Sequence, residues 1–151
     1  MGKKSSKEDK YWRRKHNTAY VSIDKAVKHS KAYRSLTALA RCLLLEFHEI
    51  CFPYSRNGDL SIRCTDAAKS LNVSRNTVRR AYSELVAKGF LILTDGARWR
   101  NGLTAIYHLT TRPYYVDGRR HEPKDDWKYW RSPADDNNIK IPVPKFGASF
   151  E

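Results

Sequence analysis

The stretch Thr65-Asp66-Ala67-Ala68-Lys69-Ser70-Leu71-Asn72-Val73-Ser74-Arg75-Asn76-Thr77-Val78-Arg79-Arg80-Ala81-Tyr82 decides how this chain is read. It holds two helical patterns broken at Asn72-Val73-Ser74. Asn tolerates the left-handed backbone of a sharp turn better than most residues with a side chain, and Val73 is apolar enough to plug the corner. Ser74 is a favoured N-cap. Behind it Val78, Ala81, Tyr82, Leu85 and Val86 recur on one face, which predicts a helix over residues 74–88. Gly89 then ends that helix in the left-handed position, after Lys88 in the last turn. Thr65 is the expected cap of the preceding helix, with Asp66 favouring its positive end. Ala68, four before Asn72, is small enough to let two helices cross closely, so the pair reads as a helix-turn-helix.

Outward from this pair the pattern continues in both directions. Leu36, Leu39, Ala40, Leu43, Leu44, Phe47 and Ile50 lie at helical spacing behind Ser35 as N-cap, and Pro53 with Asn57-Gly58 ends that helix. Leu60 and Ile62 alternate as in a short strand. Residues 90–93 read as a buried strand and residues 103–109 as its return, with Gly96 and Asn101-Gly102 as turn signals. The tip between them carries Arg98, Trp99 and Arg100. Val21, Ile23, Ala26 and Val27 predict a short element that packs on the domain. The order helix, short strand, helix, turn, helix, hairpin is that of an α+β winged helix-turn-helix, a three-helix core with a β-hairpin wing. Residues 1–20 form an arm expected to be flexible and basic, residues 21–110 the domain, and residues 111–151 a partly ordered aromatic and charged tail. The tail is expected to be irregular, with some aromatics docking on the domain. Trp127, Tyr129 and Trp130 either seal the domain or meet a second subunit or a protein partner.

Charge narrows the function. The 151 residues hold 29 Lys and Arg against 16 Asp and Glu, a formal net charge of +13. Such a surplus on a small chain points to a polyanion, because neutralising phosphates releases condensed counterions. Before Ser35 only Glu8, Asp9 and Asp24 oppose the basic residues, whereas beyond Leu109 the two signs nearly cancel. With its apolar stripe turned inward, the 74–88 helix presents Arg75, Asn76, Arg79, Arg80 and Ser83 outward. Arg bonds guanine O6 and N7 bidentately, and Asn does so with adenine N6 and N7. Ser74 and Thr77, near the helix N-terminus, suit phosphates, while Arg98 and Arg100 reach a minor groove or backbone with Trp99 beside them. The expected partner is double-stranded DNA, since the narrow major groove of A-form RNA does not admit such a helix.

The run Val73-Ser74-Arg75-Asn76-Thr77-Val78-Arg79-Arg80-Ala81-Tyr82, followed by Leu85 and Gly89-Phe90-Leu91, resembles the DNA-binding domain of GntR-type regulators. It is also similar to winged-helix domains of plasmid and phage replication proteins. The resemblance covers residues 60–109 and implies that Ser74, Arg75, Thr77 and Arg79 contact DNA, with Gly96 at the wing turn. Arg63-Cys64-Thr65-Asp66 stands where GntR proteins have Pro-Ser-Glu-Arg, although Arg63 can substitute electrostatically. There is also no room for an effector-binding domain. A small transcriptional regulator of a mobile element or phage therefore fits better than a metabolite sensor. An origin-binding replication protein is the alternative, and a winged-helix interaction module the rival of another class. Regulators with this motif commonly act as a homodimer on a two-fold site, yet no heptad announces a dimer helix.

Other chemistry is not indicated. Cys42, Cys51 and Cys64 are odd in number and lack C-x-x-C spacing, which argues against a disulfide framework or zinc ribbon and for reduced thiols in the cytoplasm. His48-Glu49 lacks the second His of a zincin and reads as part of the core helix. Asp125-Asp126 and Asp135-Asp136 read as solvated acids in the tail. No glycine-rich phosphate loop or nucleophile signature is present, so no catalytic residue, metal or cofactor is expected. No stretch is apolar enough to span a membrane. The start Met1-Gly2-Lys3-Lys4-Ser5-Ser6 fits the loose myristoylation pattern but reads better as part of the solvated arm.

Overall fold

Helix starts in this chain are set by whichever residue satisfies the first free amides. The computed structural model describes residues 20–52, 54–96 and 104–136. Two short helices, α1 (Lys25–His29) and α2 (Lys31–Ser35), precede the longer α3 (Ala38–Ile50). A 3-10 turn (Tyr54–Arg56) leads on to α4 (Cys64–Leu71) and α5 (Arg75–Ala87). Strands β1 (Leu91–Asp95) and β2 (Ile106–Leu109) pair antiparallel, as do β3 (Tyr114–Val116) and β4 (Arg119–His121). A second 3-10 turn (Asp126–Tyr129) and α6 (Pro133–Asp136) follow. The architecture is α+β, with helices packed on small antiparallel hairpins, an arrangement compatible with a winged helix.

Two helix starts differ from expectation. Ser35 does not cap α3; it closes α2, where its hydroxyl donates to the Ala32 carbonyl at 2.7 Å. Thr37 is the cap, its Oγ1 accepting from the Ala40 amide at 3.3 Å. The Thr37 amide and hydroxyl both donate to the Glu84 carboxylate of α5, at 2.9 and 2.7 Å. Lys88 holds the same carboxylate at 2.8 Å and donates to the Ser35 carbonyl. Burial alone would raise the Glu84 carboxyl, but these hydrogen bonds outweigh it and hold the group below its ordinary range. The start of α3 is thereby fixed to the end of α5. Likewise Thr65 does not cap α4, which begins two residues earlier than expected, with Arg63 at the N-cap and no side-chain cap bond.

Leu60 and Ile62 do not form a strand. Leu60 makes a single bridge to Tyr107, with backbone bonds of 3.1 and 2.7 Å. The neighbouring end of β2 is held by a side chain instead. Buried Asn57 accepts from the Leu109 amide at 2.8 Å and donates to the carbonyls of Leu109, Arg112 and Pro113. The core behind it joins Leu43, Leu44 and Phe47 of α3 to Val78 and Leu85 of α5 and to Phe90, Leu91 and Leu109. Val86, expected inward, is 39% exposed, because it lies past the edge of the stripe that Val78, Ala81, Tyr82 and Leu85 bury. The first hairpin strand is buried only at its start; Leu93 is 47% exposed. Val27 is buried and Ile23 packs against the core, as expected of the short N-terminal element. Pro53, the hairpin tip with Arg98, Trp99 and Arg100, Leu103, and the arm through residue 19 lie outside the described residues, as do residues 137–151 of the tail.

The segment after Thr110 is more regular than its composition suggests. Asp117 and Gly118, with φ of 49° and 73°, make the mirror-type two-residue turn that suits a twisted hairpin, and join β3 to β4. Further on, Trp127 is buried and stacks nearly parallel on Phe90, with ring centroids 6.3 Å apart. The Asp125 amide donates to the Thr110 carbonyl at 2.9 Å, and Asp125 accepts from the Trp127 indole at 3.1 Å. Gly89 is required twice here. Its φ is +78°, and a Cβ on it would stand 2.8 Å from the backbone of Asp126 and Trp127.

A polar node ties the N-terminal segment to this body. Arg112 Nε donates to His48 Nδ1 at 3.1 Å, so the imidazole carries its proton on Nε2 and donates it to Thr111 Oγ1, also at 3.1 Å. Arg112 reaches onward to the carbonyl and hydroxyl of Ser22. His48 is thus a core histidine. Burial, and then the Arg112 guanidinium, lower its pKa to about 3; burial, and then Lys124, lower that of His108 to about 4 against an opposing Asp126.

Gly89→Ala is expected to destabilise the fold by about 3 kcal/mol or more, since backbone strain and a backbone clash add. Gly118→Ala, at φ +73° with nothing within 4 Å of its Cβ, should cost only about 1 kcal/mol. Urea unfolding of both variants separates packing from strain. Both histidines are neutral when folded and titrate near 6.5 when unfolded, so their contribution is complete above that value and is lost as pH falls toward 3–4. Stability should drop by about 2 kcal/mol per histidine at about pH 5. In His48→Gln the same titration should have a shallower slope, read from urea midpoints.

Candidate nucleic-acid interface

The turn before α5 forms because Asn72 accepts φ 54° and ψ 50°, which lets the Val73 amide reach back to the Ala68 carbonyl at 3.0 Å. Ser74 then caps α5, its Oγ accepting from the Thr77 amide at 3.2 Å. The two hydroxyls of Ser74 and Thr77 also meet each other at 2.8 Å, and both residues are exposed. Val78, Ala81, Tyr82 and Leu85 are buried, and Arg75, Asn76, Arg79, Arg80 and Ser83 are all exposed. At about 100° per residue, Asn76, Arg79, Arg80 and Ser83 share one arc opposite the buried stripe, and Arg75 sits at its edge beside Tyr82. Ser83 donates to the Arg79 carbonyl at 3.2 Å, so its hydroxyl is folded back on the helix.

Beside that arc lies a cleft of about 600 Å³ between the start of α4, the flank of α5 and the approach to β2. Its walls bring Arg63, Arg75 and Arg79 together with Thr65 and Thr104, and among the described residues no acidic one lines it. Tyr82 and Tyr107 are also among its walls, and their rings stack 5.2 Å apart. The Tyr82 hydroxyl donates to the Ile62 carbonyl at 2.7 Å. Burial pushes both phenols upward, with Cys64 adding to the effect, so they remain neutral and the charge of the cleft is that of its arginines. Cys64 and Thr65, the uncapped first residues of α4, line the same cleft, and the positive end of the helix dipole adds to its potential. A second, open hollow runs over the turn from Lys69 past Asn72 and Ser74 to Arg75.

The sequence-derived residues thus divide into groups. Ser74, Arg75, Asn76, Thr77, Arg79, Arg80 and Ser83 share the exposed start and outer face of one helix. Arg75 and Arg79 alone of these converge with Arg63 on the cleft, while Arg80 lies on the far flank. Arg98 and Arg100 lie outside the described residues. Lys69 was missed, because an isolated lysine in a polar helix gives no signal until the turn brings it beside Arg75. Arg119 and Arg120, exposed on the second hairpin, were legible in principle from the Asp117-Gly118 pair between two short runs. Comparison with protein-family models, with curated proteins and with solved structures finds no match, so the residues and their geometry carry the reading of this surface.

Tyr82→Phe removes a bond that ties α5 to the residue before Arg63. It should cost about 1 kcal/mol of stability in urea unfolding, because the Ile62 carbonyl then loses its partner at a half-buried position.

Proposed function

We propose that this protein is a small winged-helix protein that binds double-stranded DNA sequence-specifically, with α5 in the major groove. The observation that carries the reading is the convergence of Arg63, Arg75 and Arg79 on one cleft beside the exposed arc of Asn76, Arg79 and Arg80. In this reading Arg75, Asn76, Arg79 and Arg80 meet base edges, where bidentate Arg–guanine and Asn–adenine pairs discriminate. Arg63, Lys69 and the start of α4 hold phosphates on one side. Arg98 and Arg100 supply the wing contact, and the arm adds salt-dependent affinity for any sequence. Such a protein serves as a regulator of transcription in a mobile element or phage.

Selection of bound duplexes from a random library is the direct test and returns the site with its symmetry. Arg79→Ala and Arg75→Ala should each lose about 1–3 kcal/mol on the selected duplex and relax preference at particular base pairs. Arg63→Ala should instead weaken all duplexes alike and lower the salt slope by about one ion. Full-strength, salt-insensitive binding by all of these variants, or no duplex selected at low salt, would overturn the reading.

A further inference from the structure

The cleft at the start of α5 offers more than a phosphate contact needs. Arg63, Arg75 and Arg79 border it, and among the described residues none of these guanidinium groups has a hydrogen-bond, ion-pair or ring partner. Elsewhere in the body guanidinium groups are engaged in packing. Arg112 donates to His48 and Ser22, and Arg41 donates to the Arg34 carbonyl and lies over the Tyr33 ring. Three cations left open around one hollow, with no acid in its described walls, form a site for an anion.

The rest of the wall is apolar. Ile62, Ala105, Tyr82 and Tyr107 line it, and the Tyr82 hydroxyl is already bonded to the Ile62 carbonyl. The three arginines are exposed, Tyr82 is buried, and Ile62, Ala105 and Tyr107 are half-buried, so the charge lies toward solvent with the apolar wall behind it. The volume, about 600 Å³, is that of a pocket for a compact organic molecule. A duplex phosphate meets the arginines but has no apolar surface to place against Tyr82, Tyr107 and Ile62.

We propose that this cleft binds a small aromatic anion, a planar ring system carrying one carboxylate or phosphate group, and that the bound anion displaces duplex from α5. The anionic group takes the arginines in charge-assisted, bidentate pairs, and the ring lies against the apolar wall. An uncharged ring leaves the cations without a partner, and an inorganic anion leaves the wall in water. Displacement follows because Arg75 and Arg79 belong both to the cleft and to the face that meets base edges. The ligand site stands on the cleft alone, whereas the displacement rests on the duplex reading.

The test is calorimetric titration of the full chain, without DNA, against adenosine monophosphate and against naphthoate. Adenosine and naphthamide are the controls that keep the ring, and inorganic phosphate and acetate those that keep the charge. At least one aromatic anion should bind with a Kd below about 1 mM and about tenfold or more tighter than its two controls. Which of the two binds separates a phosphate ester from a carboxylate. Arg75→Ala should weaken that ligand about tenfold, while Arg80→Ala, outside the cleft, should stay within about twofold of the unaltered protein. Ala105→Leu, which fills the cleft, should lose the ligand and keep the selected duplex. With the ligand at about ten times its Kd, affinity for that duplex should fall about tenfold in the unaltered protein and hold in Ala105→Leu. Binding of neither aromatic anion, equal binding of a charge-only control, or unchanged ligand binding in both Arg75→Ala and Ala105→Leu overturns the ligand site. Ligand and duplex bound together without competition overturns the displacement. A chain that binds the ligand yet selects no duplex keeps the ligand site and sinks the duplex reading instead.

Discussion

Phe47, Tyr82 and Tyr107 come from α3, α5 and β2, and their rings meet in one cluster. Phe47 stands edge-on to both tyrosines at 5.7 Å, and the tyrosines stack on each other. Aromatic pairs hold specific orientations, so this contact fixes the rotation of α5 about its own axis as well as its position. Once Tyr82 points inward, Asn76, Arg79, Arg80 and Ser83 must point outward, and Arg75 and Arg79 must border the cleft on the β2 side. The Tyr82 hydroxyl then ties the chain just ahead of Arg63 to the same cluster, which is how an arginine from another element joins the two on α5.

The far end of α5 is held by different means. There Thr37, Glu84 and Lys88 form a small polar clasp that closes α2 and opens α3, and Gly89 lets the backbone of residues 126–127 come close. Trp127 seals the joint against Phe90. Packing therefore continues well past Leu109, and the turn that carries Tyr129 is held to the same body as α5. The His48–Arg112–Ser22 chain does for the N-terminal segment what Trp127 does for the C-terminal one.

Charge is arranged around this frame unevenly. One group of cations lies at the start of α5 and the other beyond its end, with the helix as the spacer between them. Because the hydrogen-bonded helix is rigid on this scale, its length sets the separation of the two groups.

Much was legible in the sequence, and the reasons are local. Asn72, Ser74 and Gly89 each satisfy a backbone demand that few residue types meet, so the turn and both ends of α5 followed from residue identity. The exposed arc of α5 followed from helical periodicity alone. What escaped had non-local causes. Ser35 and Thr37 are equally good caps by type, and the choice fell to Thr37 because Glu84, 47 residues away, bonds it. Leu60 alternates with Ile62 like a strand, but the Asn57 side chain holds the adjacent end of β2. Val86 satisfies the apolar period yet faces solvent, because the surrounding elements cover a narrower stripe than the sequence offered. Residue types thus determined the turn, both ends of α5 and its outward arginines. Tertiary packing alone decided that Arg63 joins them and that Trp127 belongs to the core, since each depends on elements far apart in the chain meeting at one place.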